Sequence, residues 1–188
     1  MPSWLNPFDI LIGFALIVGV VWGFTRGLVR MAISLVVLYL AVVLAMSFYG
    51  RVGQWIIYLS GEAVAEAPAQ LTAFLFILIV FTTLVTLVIN RAFKDTELPG
   101  IRQIDQLGGL VLGFVLAATW IGLVLVGLTF ILNVPGVGSD AFRGNILRYM
   151  RTSLLVPIFY DVWPIVLATL KPWMPRGELP EIFRFQLG

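Results

Sequence analysis

Neither cysteine nor histidine occurs anywhere in the 188 residues. Their absence removes disulfides, thiolate nucleophiles, imidazole proton shuttles and the usual zinc ligands together. Charge is scarce as well, with only 12% of the residues Asp, Glu, Lys or Arg. Soluble domains carry about twice that share. The deficit argues for a bilayer as the solvent. Twelve basic residues against ten acidic ones leave a net charge of +2. On so apolar a chain these charges serve as orientation signals, and no nucleic-acid footprint is expected.

What is abundant is uncharged sequence, in runs over Ile10–Thr25, Met31–Gly50, Ala67–Asn90 and Gln106–Ser139. A membrane span needs about 20 apolar residues, and about 17 at the least. The first run reaches that length once Pro7, Phe8 and Asp9 are included; the other three need no help. The runs predict an all-α membrane protein with four transmembrane helices near 7–24, 29–49, 70–90 and 108–132. Short interfacial or re-entrant C-terminal helices follow. The expected organisation is a four-helix transmembrane domain over 1–135, C-terminal helices over 136–175 and a tail over 176–188. The first run is expected to be an uncleaved span: residues 1–9 hold no Lys or Arg, and "GFTRG" stands where a small-residue cleavage site would be.

Orientation follows from Lys and Arg in the short loops. The first connection carries Arg26 and Arg30, and the third carries Arg91, Lys94 and Arg102. The opposite side has only Arg51 between spans, although Arg143, Arg148 and Arg151 follow the last one. Weighting the first hairpin most, both termini are expected outside the cytoplasm. Arg26 and Arg30 then form a basic cytoplasmic hairpin, as anchors reaching the headgroups or as a clamp for an anion or lipid phosphate.

Ala15, Gly19, Gly23 and Gly27 recur at every fourth position and so share one face of the first span. Gly109, Gly113 and Ala117 do the same on the fourth, with Ala118 and Gly122 on a neighbouring face. In lipid, small residues let helix backbones approach closely, so these faces are expected packing seams, between spans one and four or between protomers. The plainer account is that glycine is simply common in spans. A polar stripe of Thr82, Thr86 and Asn90 marks the third span, either bonding between helices or lining a polar path.

No Asp, Glu, Lys, Arg or His lies mid-span in any of the four predicted helices, which disfavours proton-coupled transport. Asp9 and Arg26 stand at opposite ends of the first span, about 25 Å apart along a helix, and cannot pair. Asp105 is a candidate ion-pair partner for Arg26 or Arg30. Asp9, Asp105, Asp161 and the glutamates show neither a catalytic pair nor metal-ligand spacing. No catalytic, cofactor or metal site is expected, and no enzymatic activity.

In the tail, "NVPGVGSD" breaks the fourth span, and Ser139 or Asp140 can cap a following helix. "AFRGNILRYMR" separates Asn145, Arg148 and Arg151 from Phe142, Ile146, Tyr149 and Met150, which suits a helix lying in the interface. "SLLVPIFYDVWPIVLATL" is apolar, but Pro157, Asp161 and Pro164 interrupt it. A bent, re-entrant or surface-lying pair of short helices is expected there, not a fifth span.

Three segments together resemble the colicin V production (CvpA) family of bacterial membrane proteins. They are "FDILIGFALIVGVVWGFTRGLVRMAISLV", with its Arg-Gly turn; "IRQIDQLGGLVLGFVLA", with an Asp before a glycine-studded helix; and "SLLVPIFYDVWPIV", a Ser-(apolar)-Pro block. One departure is that the family often has an Arg inside the fourth helix, whereas Phe114 to Thr119 is uncharged here. The resemblance implies a multi-pass protein of the bacterial cytoplasmic (inner) membrane, linked to toxin (colicin V) production or export and to envelope homeostasis, with no agreed catalytic reaction. Expected partners are the lipid bilayer, a second copy of the chain, and an envelope or export protein. The alternative is a small channel or lipid-handling transporter.

Overall fold

Pro7 opens the first helix, where its missing amide removes no bond. Asn6 precedes it as the cap, its Oδ1 accepting from the Phe8 amide at 2.9 Å. The computed structural model describes residues 6–61, 63–92, 102–134, 139–173 and 183, without the side chains of Asn90, Ala92, Arg102 and Asp140. Its helices are α1 (Pro7–Arg26), α2 (Leu28–Leu59), α3 (Glu66–Ala92), α4 (Arg102–Asn133), α5 (Asp140–Thr152) and α6 (Leu155–Leu170). A 3-10 turn at Lys171–Trp173 follows. No strand occurs among the described residues.

Five helices are long and apolar enough to cross a membrane: α1 to α4, and α6 with its 3-10 turn. Their outward faces carry Leu11, Phe14, Ile17, Phe76, Leu84 and Val111, all exposed. A water-soluble monomer rarely displays so much apolar surface, whereas lipid tails match it.

The helices outrun the predicted spans, because water-side residues extend them. α2 reaches Leu59, about 48 Å of helix, and absorbs "RVGQWIIYL", which was expected as a connection. It stops where Gly61 turns to φ +61°, its amide bonding the Tyr58 carbonyl at 3.2 Å. The C-terminal region corrects an expectation as well, since Pro157 and Pro164 do not split α6. Pro157 sits in the first turn, where amides lack helical partners, and Pro164 forfeits a single bond. The cap expected at Ser139 is present, its Oγ accepting from the Phe142 amide at 3.3 Å.

The described residues fall into two compact units. One is Leu16–Ala118, in which α2 packs on α3 around Leu38, Ala41, Ala45, Phe74 and Leu78. The other joins the residues before Leu16 to those after Ala118, with Ile12, Val126, Phe130, Met150, Val156 and Trp163 in its core.

Candidate functional site

Within Leu16–Ala118 the two glycine series meet, and α1 and α4 run antiparallel. Gly19 faces Ala117 and the Gly113 carbonyl, Gly23 faces Gly109 and Gly113, and Gly27 faces Gly109 and Asp105. A Cβ on Gly23 would overlap the Gly109 carbonyl oxygen and lie 2.7 Å from the Gly113 Cα. A Cβ on Gly113 would return 2.7 Å from the Gly23 Cα, and one on Gly109 would stand 2.8 Å from that of Gly27. At Gly23, Gly109 and Gly113 the contact is therefore backbone against backbone. Six of the seven predicted seam residues are brought together here. Ala15, one turn earlier on the α1 face, is half-buried and belongs to the other unit. Of the neighbouring face of α4, Gly122 takes the ring of Trp163 from α6.

The turn between α1 and α2 is a single residue. Gly27 holds φ +81° and ψ 169°, a conformation nearly restricted to glycine. It offers α2 no side-chain cap, so the first amides of that helix need an acceptor from elsewhere. Asp105 supplies it: its Oδ1 accepts from the Leu28 amide at 2.9 Å, and its Oδ2 fills the space a Gly27 side chain would need. The carboxylate also offsets the positive end of the α2 dipole. On the approach to the turn, the Arg26 guanidinium stacks on the Trp22 ring at 4.7 Å.

The other unit repeats the device. Asp9, in the first turn of α1, caps the start of α6: its Oδ1 accepts from Ser153 Oγ at 2.6 Å and from the Leu155 amide at 3.0 Å. The Leu154 amide lies 3.1 Å from both carboxylate oxygens. Ser153 Oγ in turn accepts from the Val156 amide at 3.0 Å. Beside it, Asn6 Nδ2 donates to the Tyr149 carbonyl at 2.7 Å and to Thr152 Oγ1 at 3.1 Å, closing the end of α5. Sequence reasoning missed Asn6, Asp9 and Ser153, and it assigned Asp105 only a cationic partner. A signal was available: Asp9, Leu11, Gly13 and Leu16 recur as Asp105, Leu107, Gly109 and Leu112, the same D-x-L-x-G-x-x-L spacing at the head of each helix.

Between α4 and α6, Thr129 returns its hydroxyl to the Leu125 carbonyl at 2.9 Å and also bonds Tyr160 Oη. Trp163 stacks on Phe183 with 6.4 Å between ring centroids, and its indole Nε1 is buried with no acceptor among the described residues. On α3, Thr82 Oγ1 is likewise buried without a partner, whereas Thr72 bonds back to Pro68 at 2.8 Å. Thr86 is half-buried, and the Asn90 side chain lies outside the described residues. Among the described residues no group of three or more carboxylates could hold a metal ion.

The family model for the colicin V production protein matches residues 8–164, the stretch that holds the seam and both carboxylate caps. Neither a curated protein nor a solved structure matches the chain. With most of its length matched, the chain belongs to the colicin V production protein family.

Proposed function

We propose that the chain is a non-enzymatic scaffold of the cytoplasmic membrane that holds a second copy or an envelope or export partner, in toxin production or envelope homeostasis. The observation that carries this reading is the use made of its two caps. Asp9 and Asp105, the carboxylates at the heads of α1 and α4, are both engaged in closing helix ends. The outward faces of the long helices carry apolar side chains such as Leu11, Phe14, Phe76 and Val111, suited to lipid or to another apolar helix. On this reading four helices cross, the basic α1–α2 turn and the α3–α4 connection face the cytoplasm, and α5 and α6 stay outside. The exposed Asp161 on α6 favours that placement.

The second reading, a small channel or lipid-handling transporter, is favoured by the buried hydroxyl of Thr82 in the α3 stripe, which has no partner among the described residues. Reconstitution separates the two. Proteoliposomes of the scaffold should pass ions and flip labelled lipid no faster than protein-free vesicles. Flux that disappears in Thr82→Val would replace the scaffold with a pore. Single cysteines in intact cells report topology in the same series: an impermeant thiol reagent should label Gly177→Cys and spare Thr25→Cys.

A further inference from the structure

We propose that α5 is a docking helix for anionic phospholipid headgroups, whichever of the two readings above holds. Its position comes first. α5 joins the end of α4 to the start of α6, and Arg143 Nε donates to the Leu132 carbonyl at 2.8 Å in the last turn of α4. Asn6, at the head of α1, holds its other end. Three apolar helices therefore end or begin at α5, and where spans end, lipid headgroups are the surrounding chemistry. The inner face is fixed by Met150, fully buried, with Ile146 and Leu147 half-buried.

The outer face has the composition of a headgroup binder. Phe142 and Tyr149, two turns apart on one side, are 58% and 40% exposed. Aromatic rings on such a helix settle at the acyl–headgroup boundary. Arg148 is exposed beside them, its guanidinium 5.6 Å from the Tyr149 ring and 3.4 Å from Asn145 Oδ1. That pose presents a planar, partly ordered donor to a phosphate. One turn before it, Gly144 leaves open space where a side chain would stand. Arg151 is exposed one turn further on. The sign of the partner follows from the charges: α5 carries three arginines, Arg143, Arg148 and Arg151, against one carboxylate, Asp140 at its first position.

The test is lipid retention by the full-length chain, purified from bilayers of equal phosphatidylglycerol and phosphatidylcholine. The wild type should retain phosphatidylglycerol preferentially. Arg148→Gln/Arg151→Gln should lower that preference at least about fivefold, the contribution of one arginine near an anionic surface. An unchanged thermal midpoint in neutral detergent would show that the variant folds. Excess inorganic phosphate should not displace the lipid. Displacement would overturn the lipid assignment in favour of a free-phosphate site. Equal retention of both lipids, or equal preference in wild type and variant, would overturn it in favour of a protein partner or bare solvent.

Discussion

Gly23→Leu should fail to give a monodisperse protein in detergent, or lower its thermal midpoint by more than any other single change on α1. The new side chain would point at the Gly109 carbonyl and the Gly113 Cα, and backbone cannot rotate out of the way. Overpacking a well-filled contact costs about 1–3 kcal/mol where side chains can yield, and here none can. Separating the helices instead would forfeit the close contact at Gly19, Gly27 and Gly109 as well. Gly13→Ala is the matched control, since a Cβ there meets nothing within 4 Å. It should be neutral, or stabilising by up to about 1 kcal/mol through helix propensity. Equal midpoints for Gly23→Leu and wild type would show that the seam does not hold the molecule together.

Asp9→Ala is expected to lower stability by about 3 kcal/mol, measured as the thermal midpoint in detergent. The change strands the Ser153 hydroxyl and the Leu154 and Leu155 amides at once. Hydrogen bonds to charged groups contribute about 1.5–3 kcal/mol, and unsatisfied donors raise the cost. It also removes the negative charge from the α6 N-terminus. Asp9→Asn keeps an acceptor oxygen but not the charge, so it should recover about half of the loss. Asp161→Ala, at an exposed position on α6, should stay within about 0.5 kcal/mol of wild type. If Asp9→Ala behaves like Asp161→Ala, the cap contributes nothing and the fold of that unit rests on packing alone.

The seam is legible because a spacing of four marks a helix face directly: Gly19 and Gly23 lie on one side of α1, and Gly27 continues that row into the turn. What that face meets is a three-dimensional fact, so the spacing alone leaves open a partner in α4 and a partner in another protomer. The caps were illegible for a different reason. A carboxylate at the edge of a span resembles an ordinary boundary charge, and its acceptor role depends on amides 77 residues away for Asp105 and 145 or more for Asp9. The D-x-L-x-G-x-x-L spacing flags both positions, but without geometry it has no chemical meaning. In the C-terminal helix proline acts by position and not by presence. Pro157 occupies a turn that needs no amide, so the apolar run could continue through α6.

The most direct test of how the α1–α2 turn seats on the head of α4, where the glycine seam ends, uses the absence of native cysteine. A Cβ on Gly108 would lie 3.1 Å from the Leu28 Cβ, close to the separation that a disulfide spans. Mild oxidation of Leu28→Cys/Gly108→Cys in membranes should yield a faster-migrating monomer that reverts with reductant, and neither single variant should show it. A pair that stays reduced, or that forms only a disulfide-linked dimer, would contradict the account.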